Sequence, residues 1–357
     1  MSGRPIARRR FLRTMALGGA AVMGAPVLLE ACSSSKSSSS ATTAAAGAAT
    51  TAAAGTATTA SGPAQKLSMQ SAWVNDAEFI GYFIAMTNGY YRDEGVDLNF
   101  LSGGPDVVPE SSLLAKKAPL ALTTPDTTIT AIVNDSAPFV IIGTEYQKSP
   151  IGVVSLDKKP IHEPKDLIGR TLAVPAANTL GVDAMLRLSG IDKSKIKIVP
   201  YEFDPTPLLK GEIDASIDFV DDVPYTIEQS GEKATYFLLW DYGYTIFNDT
   251  VVVTKDALAN QRDVIVKWLR ASRKGWVENF KDTSAYPPKF ADTYFKGTGR
   301  TIQNELFFNN AAKPLIDTPS GIFSMSDASI EANVKALNDT GIKATHAMFD
   351  TSLLAEI

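Results

Sequence analysis

From residue 67 onward, short β-like runs alternate with helical patterns, and that rhythm leaves few folds open to the chain. Residues 67–73 read as a strand, 78–88 as a helix stopped by Gly89, 96–101 as a strand and 107–117 as a helix. A short strand at 120–122, a helix at 124–134 and an apolar, β-branched run at 139–143 complete a first cycle. An uncharged run such as 139–143 suits a strand covered on both faces. This βαβ order predicts a parallel sheet flanked by helices.

A second cycle begins at 151–156. Strands are predicted at 171–174, 196–200, 214–219 and 235–239, with helices at 180–188 and 224–229. Residues 248–254 form a β-rich return, and helices fill the remainder. The clearest covers 263–281, where Ile265, Trp268, Leu269, Ser272, Trp276 and Phe280 fall near one face. The pattern predicts an α/β fold of two lobes, lobe 1 from 64–155 and 250–357 and lobe 2 from 156–249. Connections near 150–156 and 248–254 make a hinge, with a ligand cleft between the lobes.

The residues before this region are address and tether. Arg8, Arg9, Arg10, Phe11, Leu12 and Arg13 precede an apolar run from Met15 to Leu29, the layout of an export signal within residues 1–31. The order Arg8-Arg9-x-Phe11-Leu12-Arg13 resembles a twin-arginine signal, with an ordinary secretory signal as the alternative. The run is shorter than the roughly 20 residues of a membrane span. It ends at Leu29-Glu30-Ala31-Cys32, which resembles a bacterial lipobox, with Glu30 where a small residue is usual. Cys32 is therefore the expected lipidation site, and acyl chains, at about 0.8 kcal/mol per buried CH₂, would hold the protein on the outer face of the cell membrane. Residues 32–63 are nearly all Ser, Ala, Thr and Gly, and read as a disordered tether. Cys32 is the only cysteine, so no disulfide is expected. The 34 basic and 39 acidic residues give a net charge of −5. Five arginines and one glutamate precede Cys32, so the remainder carries −9, which argues against nucleic acid.

Several motifs carry a family likeness. Trp73-x-x-Asp76-x-Glu78-x-x-Gly81 and Gly89-Tyr90-Tyr91-x-x-Glu94-Gly95-Val96-Asp97-Leu98 resemble the opening of type II periplasmic binding proteins. Gly103-Gly104-Pro105, Tyr146-Gln147-Lys148-Ser149-Pro150, Asp166-Leu167-x-Gly169-Arg170 and Gly211-Glu212-Ile213-Asp214-Ala215 extend the likeness over residues 67–350. The branch most similar is the one related to thiamine-pyrimidine synthesis and thiamine-precursor binding; wider relatives bind nitrate, sulfonates, taurine or riboflavin. The resemblance implies a two-lobed binding protein, monomeric and without cofactor or metal, that works with the permease and ATPase subunits of an ABC importer. Enzymes of that family use a pyridoxal-bearing lysine and a histidine. Thr123 and Thr127 stand at those positions, so their chemistry is not expected here. Nor does the chain carry Gly-x-Ser-x-Gly, His-Glu-x-x-His or a phosphate-binding Gly-Lys-Ser/Thr.

Clefts in such folds lie at the carboxyl ends of strands, and candidate ligand-binding residues are sought there. Trp73, ending the first strand, either stacks on a planar ligand or packs into the core. Asn75 and Asp76 beside it either bind ligand or cap the next helix. Gly103 and Gly104 offer backbone N–H groups, or form a plain turn. Thr123 and Thr124 end the third strand, with Thr124 alternatively a helix cap. Tyr146 and Gln147 follow the fourth strand, just before the hinge. From lobe 2 come Asn178 at a helix start, Asp221 and Asp222 after the strand ending at Phe219, and Tyr242 and Tyr244 as an aromatic lid; Asp221 can equally be a helix cap. His162 and His346 are expected on the surface. With the set, the resemblance implies a planar, nitrogen-containing heteroaromatic ligand: a pyrimidine precursor first, a flavin second. An aliphatic sulfonate is the alternative, and would call for Arg or Lys at strand ends. The membrane prediction is direct. Cys32→Ser is expected to release the protein from the membrane fraction with its fold unchanged; retention of the variant there would overturn the lipid anchor.

Overall fold

The computed structural model describes residues 63–357, so the predicted signal, Cys32 and all but the last residue of the predicted tether lie outside it. Among the described residues, ten strands form two five-stranded sheets. The first contains β1 (Gln65–Gln70), β2 (Val96–Leu101), β3 (Leu120–Thr123), β4 (Phe139–Tyr146) and β10 (Asn248–Thr254), in the order β2-β1-β3-β10-β4. The second contains β5 (Ile151–Leu156), β6 (Thr171–Val174), β7 (Lys197–Pro200), β8 (Ala215–Phe219) and β9 (Ala234–Leu238), in the order β7-β6-β8-β5-β9. Pairs linked through helices run parallel, β1 with β2 and β3, and β6 with β7 and β8.

Two expectations change. The sheets are mixed rather than wholly parallel, because β10 runs antiparallel to β3 and β4, and β5 antiparallel to β8 and β9. Each of these strands enters its sheet straight from the other lobe, with no crossover helix to restore the direction. The predicted boundary at 155/156 also moves, because β5 pairs wholly within the second sheet. The first crossing is therefore residues 147–150, and the second precedes β10. The two crossings are tied together: Ser149 donates its backbone N–H to Ile246 O at 3.3 Å, and Lys148 pairs with Asp241 at 2.7 Å.

β4 and β5 are buried at every residue, which is what an uninterrupted apolar run requires. β4 continues three residues past the predicted end, through Thr144, Glu145 and Tyr146, because β10 pairs along it up to Asn248↔Tyr146. β1 ends at Gln70, earlier than predicted, so Trp73 stands in the loop beyond the strand rather than at its end. His162 and His346 are exposed. Among the described residues, no helix is long and apolar enough to cross a membrane.

The long helix Arg262–Lys281 follows the predicted face. Ile265, Trp268, Leu269, Ser272 and Trp276 are buried, while Phe280 is half-buried. It packs on the helix Ile80–Thr87, with Tyr82 stacked on Trp268 at 5.6 Å between centroids. The crossing depends on two glycines. A Cβ on Gly275 would lie 2.0 Å from Gly81 O, and one on Gly81 would lie 2.3 Å from the Trp276 ring. Gly275→Ala must therefore push backbone from backbone, and is expected to cost about 1–3 kcal/mol of folding stability. A shift of the urea midpoint measures it; an unchanged midpoint would show that the helices do not need this close approach.

Candidate ligand-binding site

The carboxyl ends of β1, β4 and β8 converge with the start of β10, which runs opposite to its neighbours and so brings its first residues to the same edge. Carboxylates gather there from both sheets. Asp76 and Glu78 follow β1, Glu145 lies in β4, Asp249 in β10, and Asp221 and Asp222 follow β8. Glu305 joins them from the helix Ile302–Ile316. Apart from Asp222, each of these residues is at most 4% exposed. Ionised carboxylates at this depth need a counter-charge or a proton.

Arg300 supplies the counter-charge. Its Nη2 and Nη1 donate to Asp222 Oδ1 and Oδ2 at 2.7 and 2.9 Å, a fork across the two lobes. Nε donates to Glu305 Oε1 at 2.5 Å and lies 4.0 Å from Asp76 Oδ2. Glu305 Oε2 in turn accepts the N–H of Ala77 at 2.7 Å. Burial opposes the charge on Arg300, but Asp222, Asp76 and Glu305 outweigh it and raise its pKa. Beside this pair, Tyr225 of lobe 2 stacks on Phe307 of lobe 1 at 5.1 Å.

Farther in, protons must substitute for counter-charges. Burial pushes Asp221 up to about 8, helped by the neighbouring Asp222. Burial likewise raises Glu145, with Asp249 and Asp76 adding repulsion. Glu78 and Asp249 meet carboxyl to carboxyl. Burial raises both, and one proton held by Glu78 gives Asp249 a partner. Tyr82 donates to Glu145 Oε2 at 2.7 Å, and Tyr146 donates to Asp221 Oδ2 at 3.2 Å, across the lobes. Asp249 has φ 46°, a conformation that costs a non-glycine residue energy and marks a constrained position.

The predicted residues divide on this geometry. Asp76, Tyr146, Asp221 and Asp222 come together in the cluster. Asp76 also caps the short helix after it, accepting the N–H of Glu78 at 3.0 Å. Tyr146 is the last residue of β4 rather than following it. Trp73 is half-buried and meets Phe203 of lobe 2 edge to face at 5.0 Å; Asn75 follows it, with its Oδ1 buried and unpartnered.

Others are engaged elsewhere. The N–H of Gly103 donates to Trp73 O and Ser71 Oγ, and that of Gly104 to Ala72 O, so neither is left to hold a ligand oxygen. Thr123 donates to Glu110 at 2.6 Å and Thr124 contacts Thr127, without capping its helix. Gln147 donates to Ser324 O at 2.9 Å. Tyr242 packs on Phe237 and donates its hydroxyl to His162 O within its own lobe, and Tyr244 is buried with its hydroxyl on Asp126 at 3.0 Å, so the two form no lid. Asn178 sits half-buried at the start of its helix with no side-chain cap bond. Glu78, Glu145, Asp249, Arg300, Glu305 and Phe203 went unanticipated. A carboxylate inside an apolar run, as in Ile141-Ile142-Gly143-Thr144-Glu145, was the available signal for Glu145.

The family profile described as NMT1/THI5 like matches residues 76–284, more than half of the chain. The chain belongs to the NMT1/THI5-like family. The riboflavin-binding protein RibY of Chloroflexus aurantiacus is 23% identical to it over 233 residues, 64% of this chain and 65% of that protein. The formylaminopyrimidine-binding protein of Halalkalibacterium halodurans is 24% identical over 215 residues, 58% of this chain and 65% of that protein. The chain thus spans just under two thirds of the length of these curated relatives. Among solved structures, the periplasmic aliphatic sulphonate binding protein SsuA of Escherichia coli has a TM-score of 0.61 at 14% identity, covering 78% of this chain and 91% of that one. The fold is that of periplasmic binding proteins.

In this NMT1/THI5-like protein the carboxyl cluster makes stability depend on pH. Asp221 and Asp249 are raised in the fold to about 8 and about 7, whereas the same groups ionise near 4 when unfolded. Between those values the folded state binds more protons than the unfolded one. Their stabilising contribution is complete below about pH 4 and is lost as pH rises through 7 to 8. The melting temperature of ligand-free protein is expected to be higher at pH 5 than at pH 8.5, with Asp221→Asn flattening the slope. A melting temperature that climbs over this range would contradict the assignment.

Proposed function

We propose that this chain is an extracytoplasmic solute-binding protein. It captures a small planar heteroaromatic molecule between its lobes and delivers it to the permease and ATPase subunits of an ABC importer. The observation that carries this reading is a buried polar cluster drawn from both sheets at the carboxyl ends of their strands, with Trp73 and Phe203 meeting across the lobes beside it. Such a site binds and orients; no catalytic step is assigned to it. The proposal includes export by the predicted signal and anchoring through Cys32.

Closure follows from contacts that exist only when the lobes meet. Tyr146–Asp221, Arg300–Asp222 and Trp73–Phe203 each join one lobe to the other. A ligand touching both lobes adds to these and shifts the protein toward the closed form by its differential affinity. The permease would dock on that form. A single chain carries the whole cleft, so the protein is proposed to act as a monomer.

A pyrimidine of the thiamine-precursor type is the first choice of ligand and a flavin the second. The names of the two curated relatives support flat nitrogen heterocycles. An aliphatic sulfonate is less well served. Arg300 is a basic group at the site, but Asp222 and Glu305 already occupy its guanidinium. Trp73→Ala, at a half-buried position, is expected to weaken binding of a flat heterocycle by about 2–4 kcal/mol. Titration calorimetry of wild type and variant with 2,4-diaminopyrimidine, riboflavin and taurine, alongside tryptophan quenching, measures it. Tight taurine binding that survives the substitution would overturn the reading.

A further inference from the structure

The lobes also meet helix to helix, along a seam that continues from the Arg300 fork. In lobe 2, Asp222, Tyr225 and Thr226 stand at i, i+3 and i+4 where the helix Val223–Gln229 begins, so they share one face. In lobe 1, Asn304 and Phe307 lie three residues apart on the helix Ile302–Ile316, and Arg300 sits just before it. The two faces match residue by residue. Arg300 forks onto Asp222 at 2.7 and 2.9 Å, Asn304 Nδ2 donates to Thr226 Oγ1 at 3.3 Å, and Phe307 stacks on Tyr225 with an interplanar angle of 24°. Tyr225, Thr226, Asn304 and Phe307 are half-buried, whereas Asp76, Asp221 and Glu305 beyond the fork are buried.

The lobe 1 half of this seam is held in position by its own helix. The Arg300 guanidinium lies over the Phe308 ring at 5.6 Å, and its Nε donates to Glu305. Asn304 Oδ1 accepts the backbone N–H of Thr301 in the capping box of the helix, which leaves Nδ2 to reach Thr226. Donors fixed in advance lose little side-chain entropy when the other lobe arrives. A bidentate guanidinium–carboxylate pair, only 17% and 18% exposed at its two side chains, is also the kind of ion pair that contributes measurably. Every contact in the seam is made by the chain with itself.

We propose that this seam is a latch that draws the lobes together without help from a bound molecule. The protein then closes on its own in a substantial share of molecules, and opening the seam limits the escape of whatever the cleft holds. The inference rests on the solute-binding reading and adds its regulation. Apparent affinity scales with the share of molecules in the binding-competent form, so the latch strengthens binding of every ligand by the same factor and contributes nothing to the choice among them.

The test reads lobe separation directly. Nitroxide labels at Gln303→Cys and Ser230→Cys, exposed positions next to the seam on lobe 1 and lobe 2, are placed in the Cys32→Ser protein and their distance is measured by pulsed electron resonance. Without ligand, two distances are expected, the shorter being that of the structure described above. Phe307→Ala, Tyr225→Ala and Asp222→Asn are each expected to deplete the shorter one. By calorimetry, Phe307→Ala is expected to weaken riboflavin and 2,4-diaminopyrimidine alike, by about 3- to 10-fold. Combining it with Tyr225→Ala is expected to add little, because both substitutions remove one contact. A ligand-free protein that shows only the longer distance would overturn the latch, as would a seam variant that weakens one ligand and spares the other. If taurine binds and neither heterocycle does, the heteroaromatic reading falls, while the ligand-free distances still decide the latch. Those distances are measured without any seam substitution, so a variant that fails to fold leaves the proposal open to refutation.

Discussion

The fork between Arg300 and Asp222 is the interaction on which the rest of the site depends. Carboxylates from four elements of lobe 1 and one loop of lobe 2 are drawn into a space shielded from water, where each would otherwise have to take up a proton. Arg300 neutralises the outer part of this cluster, holding Glu305 within its own lobe and Asp222 in the other. The inner part is left to protonation and to tyrosine hydroxyls. A single guanidinium therefore pairs with carboxyl groups of both lobes and helps hold the lobes face to face.

The path of the chain explains why this is possible. The chain crosses between the lobes just before β5 and again just before β10, and each of these strands enters its new sheet antiparallel. Because β10 runs backwards, its first residues, Asn248 and Asp249, arrive at the edge where β1 and β4 end. A parallel strand would have brought its last residues there instead. The left-handed backbone at Asp249 and the register shift farther along β10 show a strand bent to fit between two neighbours. Two crossings tied by Ser149 to Ile246 and by Lys148 to Asp241 leave relative motion of the lobes few ways to proceed, which favours a hinge over free tumbling.

Part of the site was legible because local signals coincide with function. Trp73, Asp76 and the Asp221-Asp222 pair sit in polar loops directly after strands, where periodicity stops and a cleft is expected. Glycine and threonine signals misled. Gly103 shapes the loop against Ser71 and Ala72, where a Cβ would come within 2.5 Å of backbone, and spends its N–H on that packing. Thr123, Thr127 and Thr128 all turn to the carboxylate of Glu110. Sequence alone cannot tell an N–H or hydroxyl that meets a ligand from one satisfied by a neighbour brought from elsewhere in the chain.

The sequence by itself determined the alternation of strands and helices, and hence an α/β chain with two cycles and a return. Those features are local: period, turn residues and apolar runs act over a few residues at a time. It also carried the motif in which Asp76 and Glu78 both prove to be cluster residues. Only the tertiary structure decided the direction of β5 and β10, the position of the crossings, and the company kept by Arg300. Arg300 follows Gly297-Thr298-Gly299 in a loop with no signal of its own, and its partners lie up to 224 residues away in the chain. Long-range charge pairing is fixed by how buried surfaces meet, and no local pattern encodes it.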